Sequence, residues 1–158
     1  MPTHAETRLM PYSADEMFEL IAGIDLYPEF LPWCAAARIR KRRAEGPREV
    51  LEADLVISFK LFRERFCSRV VLRPSENRID VSYLDGPFRY LNNHWHFMPL
   101  DDGRCEVDFF VDFEFRSRTL QAFIGVVFNE AMQRIVGAFE RRAEALYGPR
   151  APAIESKA

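Results

Sequence analysis

His94 and His96 stand two residues apart in a segment that alternates like a strand, so both imidazoles fall on one face. Two nitrogen donors on one face are the start of a metal site, and Asp108 would be a third ligand. Zinc takes three or four protein ligands, and nothing in the chain supplies the fourth. The competing expectation is a cross-strand His–Asp pair, with His96 opposite Asp108. Glu64 is the other group that could do chemistry. It shares strand parity with Phe62 and Phe66, which places a carboxylate on an inward face where it needs a partner or a task. Arg142 falls likewise within the apolar arc of a helix. Such inward groups, with Asn93, Tyr83 and the Trp95 ring N–H, are what a pocket uses to orient a polar head. No Ser/His/Asp order, glycine-rich phosphate loop, HExxH or Rossmann fingerprint is present. No catalytic residue, metal ligand set or catalytic cofactor is therefore assigned, and the chain reads as a non-enzyme.

A second constellation is cationic. Arg38, Arg40, Lys41, Arg42 and Arg43 crowd one short segment. A solvated strand edge is the plain expectation. The density also suits anionic lipid headgroups or RNA phosphates. A formal net charge of −2 means that no global field draws the chain to DNA.

These groups are positioned by a chain of 158 residues, 48% apolar and 13% aromatic, with 14 Phe. That suffices for one domain with a bulky core or an aromatic-lined pocket. Three cysteines without a CxxC spacing favour a reducing compartment, and the N-terminus lacks an apolar signal run. No apolar run approaches a membrane span. A cytoplasmic protein is expected, in peripheral contact with the inner face of the membrane if the cations touch lipid.

The dominant element is a helix from Arg118 to Tyr147, about 45 Å long at 1.5 Å per residue. Leu120, Phe123, Ile124, Val127, Phe128, Ala131, Ile135, Ala138, Phe139 and Leu146 share one arc. Ser117 caps it and Gly148-Pro149 stops it. Just before it, Cys105 to Phe115 alternates without a break. Upstream, Thr3 to Met10 reads as a strand, and Ser13 with Glu16 forms a capping box for a short helix ending at Gly23. YPEFLPWC, Tyr27 to Cys34, allows at most one helical turn. Its Phe30 and Trp33 either plug the core or form a pocket rim. Strands follow around Ala37–Arg43, Glu49–Phe59, Phe62–Arg73, Ile79–Tyr83 and Leu91–Pro99. The Asp101-Asp102-Gly103 loop sets Trp95 opposite Phe109. The prediction is an α+β domain over residues 1–148, a curved antiparallel sheet of about seven strands gripping the long helix, with a cavity between them. Residues 149–158 are expected to form a disordered tail.

YPEFLPWC (27–34), DGPFRYL (85–91), Trp95, Phe97, Val107 through FEFRS (113–117) and AFERRAEALYG (138–148) together resemble the coenzyme Q-binding START-domain family. This family is a branch of the polyketide cyclase-like, helix-grip superfamily. Cys67 stands where the family commonly has a hydroxyl residue, and Ile135 where it often has Met. The resemblance implies a helix-grip fold holding ubiquinone or a similar isoprenoid lipid, in support of respiratory electron transport or quinone biosynthesis. A close branch is described as a toxin that blocks association of ribosomal subunits, and the superfamily name admits a cyclase or aromatase. Under the lipid reading the lining is Tyr83, Asn93, Trp95, Phe97, Phe109, Phe123, Val127 and Phe128, with Phe30 and Trp33 at the entrance. Arg38, Arg40, Lys41, Arg42 and Arg43 would face a membrane, or a ribosomal subunit under the toxin reading. The cyclase reading would need a base such as Glu64 inside the pocket.

Overall fold

A computed structural model describes residues 3–59 and 62–149. The chain runs β1 (Thr3–Met10), α1 (Ala14–Ala22), a 3-10 segment (Ile24–Glu29), then β2 (Cys34–Glu45), β3 (Arg48–Phe59) and β4 (Phe62–Arg73). A short 3-10 turn (Pro74–Glu76) leads to β5 (Arg78–Asp85), β6 (Phe88–Pro99), β7 (Cys105–Phe115) and α2 (Arg118–Tyr147). The strands form one antiparallel sheet in the order β1-β7-β6-β5-β4-β3-β2. Five pairings of consecutive strands and one long-range pairing of β1 with β7 make both edges, β1 and β2, strands from the N-terminal third.

Local chemistry accounts for these elements. The Ser13 hydroxyl accepts from the Glu16 N–H at 3.1 Å, and the Glu16 carboxylate accepts from the Ser13 N–H at 2.9 Å, closing the capping box of α1. The Ser117 hydroxyl caps α2 by accepting from the Leu120 N–H. The 3-10 segment starts at Ile24, earlier than the Tyr27 expected, and takes in Pro28 without a break. Pro28 is the fifth of its six residues and has no N–H, so the segment lacks a bond from that position and ends one residue later. Strand β6 begins at Phe88 rather than Leu91, with a bulge between Phe88 and Tyr90.

Register follows alternation. Trp95 faces Phe109 across β6 and β7, their rings 4.5 Å apart. Glu52 faces Arg69 across β3 and β4. The turn at Lys60-Leu61 lies outside the described residues, but Phe59 pairs with Phe62 on either side of it. Residues 150–158 also lie outside the described residues. On the concave face the core gathers Leu51, Phe66, Val70, Ile79, Phe97 and Val107, covered by α1 and by the second half of α2. Leu146 leaves the predicted apolar arc and is 50% exposed. Among the described residues no helix is long and apolar enough to cross a membrane.

Candidate functional site

The two halves of α2 bury their apolar arc differently. Ala131, Met132, Ala138, Phe139 and Ala143 are buried, whereas Leu120, Phe123, Ile124 and Val127 are only half-buried. The first half faces empty space. A cavity of about 320 Å³ lies between sheet and helix, walled by Ala53, Leu55, Phe66, Ser68, Val81, Asn93, Trp95, Phe109, Val111, Ala131 and Ile135 among others. A second cavity of about 410 Å³ adjoins it, lined by Phe59, Phe62, Phe123, Val127 and Leu120. Trp33, Ile57, Phe115, Ile124 and Ala131 line both, so the two adjoin, the first as an inner chamber and the second as a mouth.

The mouth is aromatic. Trp33 packs edge-on to Phe59 at 5.3 Å, Phe59 lies 5.5 Å from Phe123, and Phe123 lies 5.9 Å from Phe62. Trp33 has φ of 65°. A bulky residue in the left-handed region costs about 1–3 kcal/mol and persists only where its surroundings over-determine it. Here the Trp33 carbonyl accepts from the Ser58 N–H at 2.8 Å, while its ring fills the rim. Gly86 explains part of the DGPF motif. It has φ of +142°, and a Cβ there would stand 2.6 Å from the Cβ of Phe66. The backbone of the β5–β6 turn thus rests directly on the cavity wall.

Inside, polar groups are few. Asn93 donates to the Phe110 carbonyl at 2.8 Å and accepts from Trp95 Nε1 at 3.0 Å. It positions the indole and is not free to orient a ligand. Tyr27 donates to the Ile21 carbonyl, and burial pushes its phenol well above the ordinary range. The inner chamber has no Asp, Glu, His, Lys or Arg among its described lining residues.

Several expected site residues sit elsewhere. Phe97 is fully buried behind Trp95 and against Phe18, because the indole covers it from the cavity. Phe128 packs on Phe113 and His4, on the β1 side of the helix. Tyr83 packs on Phe88 and its hydroxyl accepts from the Phe88 N–H, outside the lining. Phe30 packs on Tyr27 and Phe139, with the Arg142 guanidinium 5.0 Å over its ring. Arg142, the polar residue of the apolar arc, also meets Glu29 at 2.8 Å. Trp33, Asn93, Trp95, Phe109, Phe123 and Val127 are in the lining as expected. Alternation could not separate these cases, since facing inward does not distinguish a cavity wall from a packed core.

Glu64 is exposed at the mouth rather than buried. It is no internal base. His94, not His96, makes the ion pair, with Nδ1 2.8 Å from Asp80, which also meets Arg73 at 2.9 Å. Asp108 accepts from the Thr7 hydroxyl instead. Among the described residues no three His, Cys, Asp or Glu come together.

The cationic run divides. Arg42 pairs with Glu49 at 3.0 Å and Arg43 with Glu45, which neutralise them. Arg38 and Arg40 lie 3.7 and 3.6 Å from Asp54. That carboxylate is 6% exposed although it lies on the convex face, because both guanidinium groups cover it. The register adds Arg63, Arg65 and Arg69 of β4 to the same convex face, all exposed. The basic surface is therefore a patch across β2–β4, not the linear run.

Against this geometry stand the comparisons with known proteins. The family described as "Polyketide cyclase / dehydrase and lipid transport" matches residues 10–140. The chain belongs to that family. It is 39% identical over 147 residues to the ribosome association toxin RatA of Rickettsia prowazekii, covering 91% of this chain and 97% of that one. It is 30% identical over 149 residues to the coenzyme Q-binding protein COQ10 homolog B of Xenopus laevis, covering 92% of this chain and 59% of that one. The solution structure of the 18 kDa protein CC1736 from Caulobacter crescentus superposes with a TM-score of 0.78 at 37% identity, covering 94% and 100% of the two chains. A START superfamily protein from Mycobacterium smegmatis superposes at 0.76 with 20% identity, covering 91% and 98%, which establishes the START-like helix-grip fold.

Proposed function

We propose that the protein binds an isoprenoid quinone, ubiquinone or a close relative, in the cavity between sheet and α2. It holds the lipid without chemical change and carries it to the enzymes that make or use it. The observation that carries this reading is the pair of adjoining, largely apolar cavities, the aromatic mouth and the inner chamber. Among the described residues the inner lining offers no carboxylate, imidazole, amine or guanidinium, and the Tyr27 phenol is tied to a backbone carbonyl, which suits holding better than catalysis. Burying apolar ligand surface is worth about 25 cal/mol per Å², enough for micromolar affinity from a modest tail after ordering costs. The name of the Xenopus relative points the same way. Lipids extracted from the purified protein and identified by mass spectrometry test it. A quinone in the extract supports the reading. An empty extract, with no uptake of a short-chain quinone added in solution, overturns it.

The convex basic patch supports a second reading, association with a ribosomal subunit through RNA phosphates, in line with the names of the RatA relatives. Among the described residues the exposed large apolar side chains are Leu9, Leu26, Leu84, Val126 and Leu146, none of them in the patch, which suits a hydrophilic polyanion better than a bilayer. Replacing Arg63, Arg65 and Arg69 by Gln should then abolish co-sedimentation with subunits at low salt. Unchanged co-sedimentation, or none by the wild type, sinks this reading.

A further inference from the structure

We infer that Ser68 is the residue that recognises the ligand's ring, by a hydrogen bond between its hydroxyl and a ring oxygen. This rests on reading the cavity as a quinone-class site. Ser68 is 4% exposed, it lies in the wall of the inner chamber, and its Oγ has no hydrogen-bond partner. An unpaired buried hydroxyl is costly and uncommon in native proteins, and a partner from outside the chain is one way it is satisfied. Four other polar side chains of that wall are already engaged. Asn93 and Trp95 bond as described, Tyr27 bonds to Ile21, and the Cys34 thiol points to the Ala36 carbonyl at 3.6 Å.

The shape of the wall agrees. Ser68 pairs directly with Ala53 across β3 and β4. Their neighbours on the same face are Leu51, Leu55, Phe66 and Val70. Two small side chains set side by side among large ones leave a depression, with the small Ala131 of α2 on the facing wall. A flat ring is the shape that such a depression takes.

Ser68 also fixes the orientation. It lies six residues beyond Phe62, which lines the mouth, or about 20 Å along β4 at 3.3 Å per residue. The ring therefore sits at the inner end, and the tail runs out past Val127 and Phe123. A serine hydroxyl both donates and accepts. It can donate to the carbonyl of an oxidised ring and accept from the hydroxyl of a reduced one, so the site takes both redox states.

Calorimetric titration with two probes tests this. One is a benzoquinone carrying a two-isoprene tail. The other is a benzene with the same tail and no ring oxygen. Wild type should prefer the quinone, and Ser68→Ala should cut that preference by roughly three- to tenfold, the range of one neutral hydrogen bond. The variant should bind the benzene probe as wild type does. Its ligand-free melting temperature should equal or exceed that of wild type, since an unpaired buried hydroxyl is removed, and this controls for folding. A variant that keeps the wild-type preference overturns the inference. So does a wild type that binds both probes equally, which leaves the cavity reading intact. A wild type that binds neither probe overturns both.

Discussion

The indole N–H of Trp95 donates to the side-chain oxygen of Asn93 two residues earlier on β6, at 3.0 Å. Both side chains face the cavity from one strand, and the amide of Asn93 is in turn tied to the Phe110 carbonyl. The bond holds the indole across Phe97 and against Phe109 and Phe139, so the floor of the chamber is a fixed aromatic surface. Asn93→Ala would take from the Trp95 ring N–H its acceptor and from the Phe110 carbonyl a donor. We expect a loss of about 2–4 kcal/mol in urea unfolding. In a Trp95→Phe background the same change should cost less, because one of the orphaned groups is gone. An additive double-mutant cycle would contradict the coupling.

Phe97 and Phe123 separate core from cavity. Phe97 is fully buried away from the lining, so Phe97→Ala should lower stability by about 3–5 kcal/mol. Phe123 is half-buried at the mouth. Phe123→Asp and Val127→Trp should leave the unfolding midpoint nearly unchanged while reducing the lipid recovered with the protein. Equal loss of lipid from Phe97→Ala, at a temperature where that variant is folded, would return Phe97 to the lining.

Gly86 should tolerate no side chain. Its φ of +142° and the 2.6 Å approach to Phe66 combine backbone strain with a clash against a buried strand. Gly86→Ala is expected to lose about 2–4 kcal/mol. Gly46→Ala, with positive φ but open space around it, should lose less. Thermal melts of the two variants decide the order.

The β1 side of the grip is ionic. Glu6 meets His4 at 2.9 Å and Arg8 at 2.6 Å, and Arg8 reaches Glu140 of α2 at 2.6 Å. Burial works to raise the Glu6 carboxyl, but the bonds from His4 and Arg8 outweigh it and hold it below its ordinary 4.5. A carboxylate depressed in the folded state contributes stability above pH 4.5 and loses it as pH falls through the lower folded value. Glu6→Gln should therefore lower stability at pH 7 and flatten the decline on acidification. Amide exchange in α2 near Glu140 should rise in step. A variant whose acid limb matches wild type would remove Glu6 from the clamp.

Much of this protein is written in local pattern. The span of α2, the Ser13 and Ser117 caps and the Trp95–Phe109 register follow from periodicities of 3.6 and 2 and from cap chemistry, which act within a few residues. The motifs of the mouth, YPEFLPWC and DGPF, were also visible as motifs. Their reasons were not. Trp33 in the left-handed region and the approach of Gly86 to Phe66 depend on strands far apart in the chain. Strand alternation assigned Tyr83 and Phe97 inward like Trp95 and Phe109, and the helical arc assigned Phe128, but which inward residue meets empty space depends on where α2 lies over a curved sheet. Parity likewise gave Glu64 an inward face but not its exposure at the mouth, and Asp54 is buried on the convex face beneath two arginines of β2. The unpaired hydroxyl of Ser68 belongs wholly to the tertiary structure, because only the assembled wall decides whether a side chain has neighbours to bond.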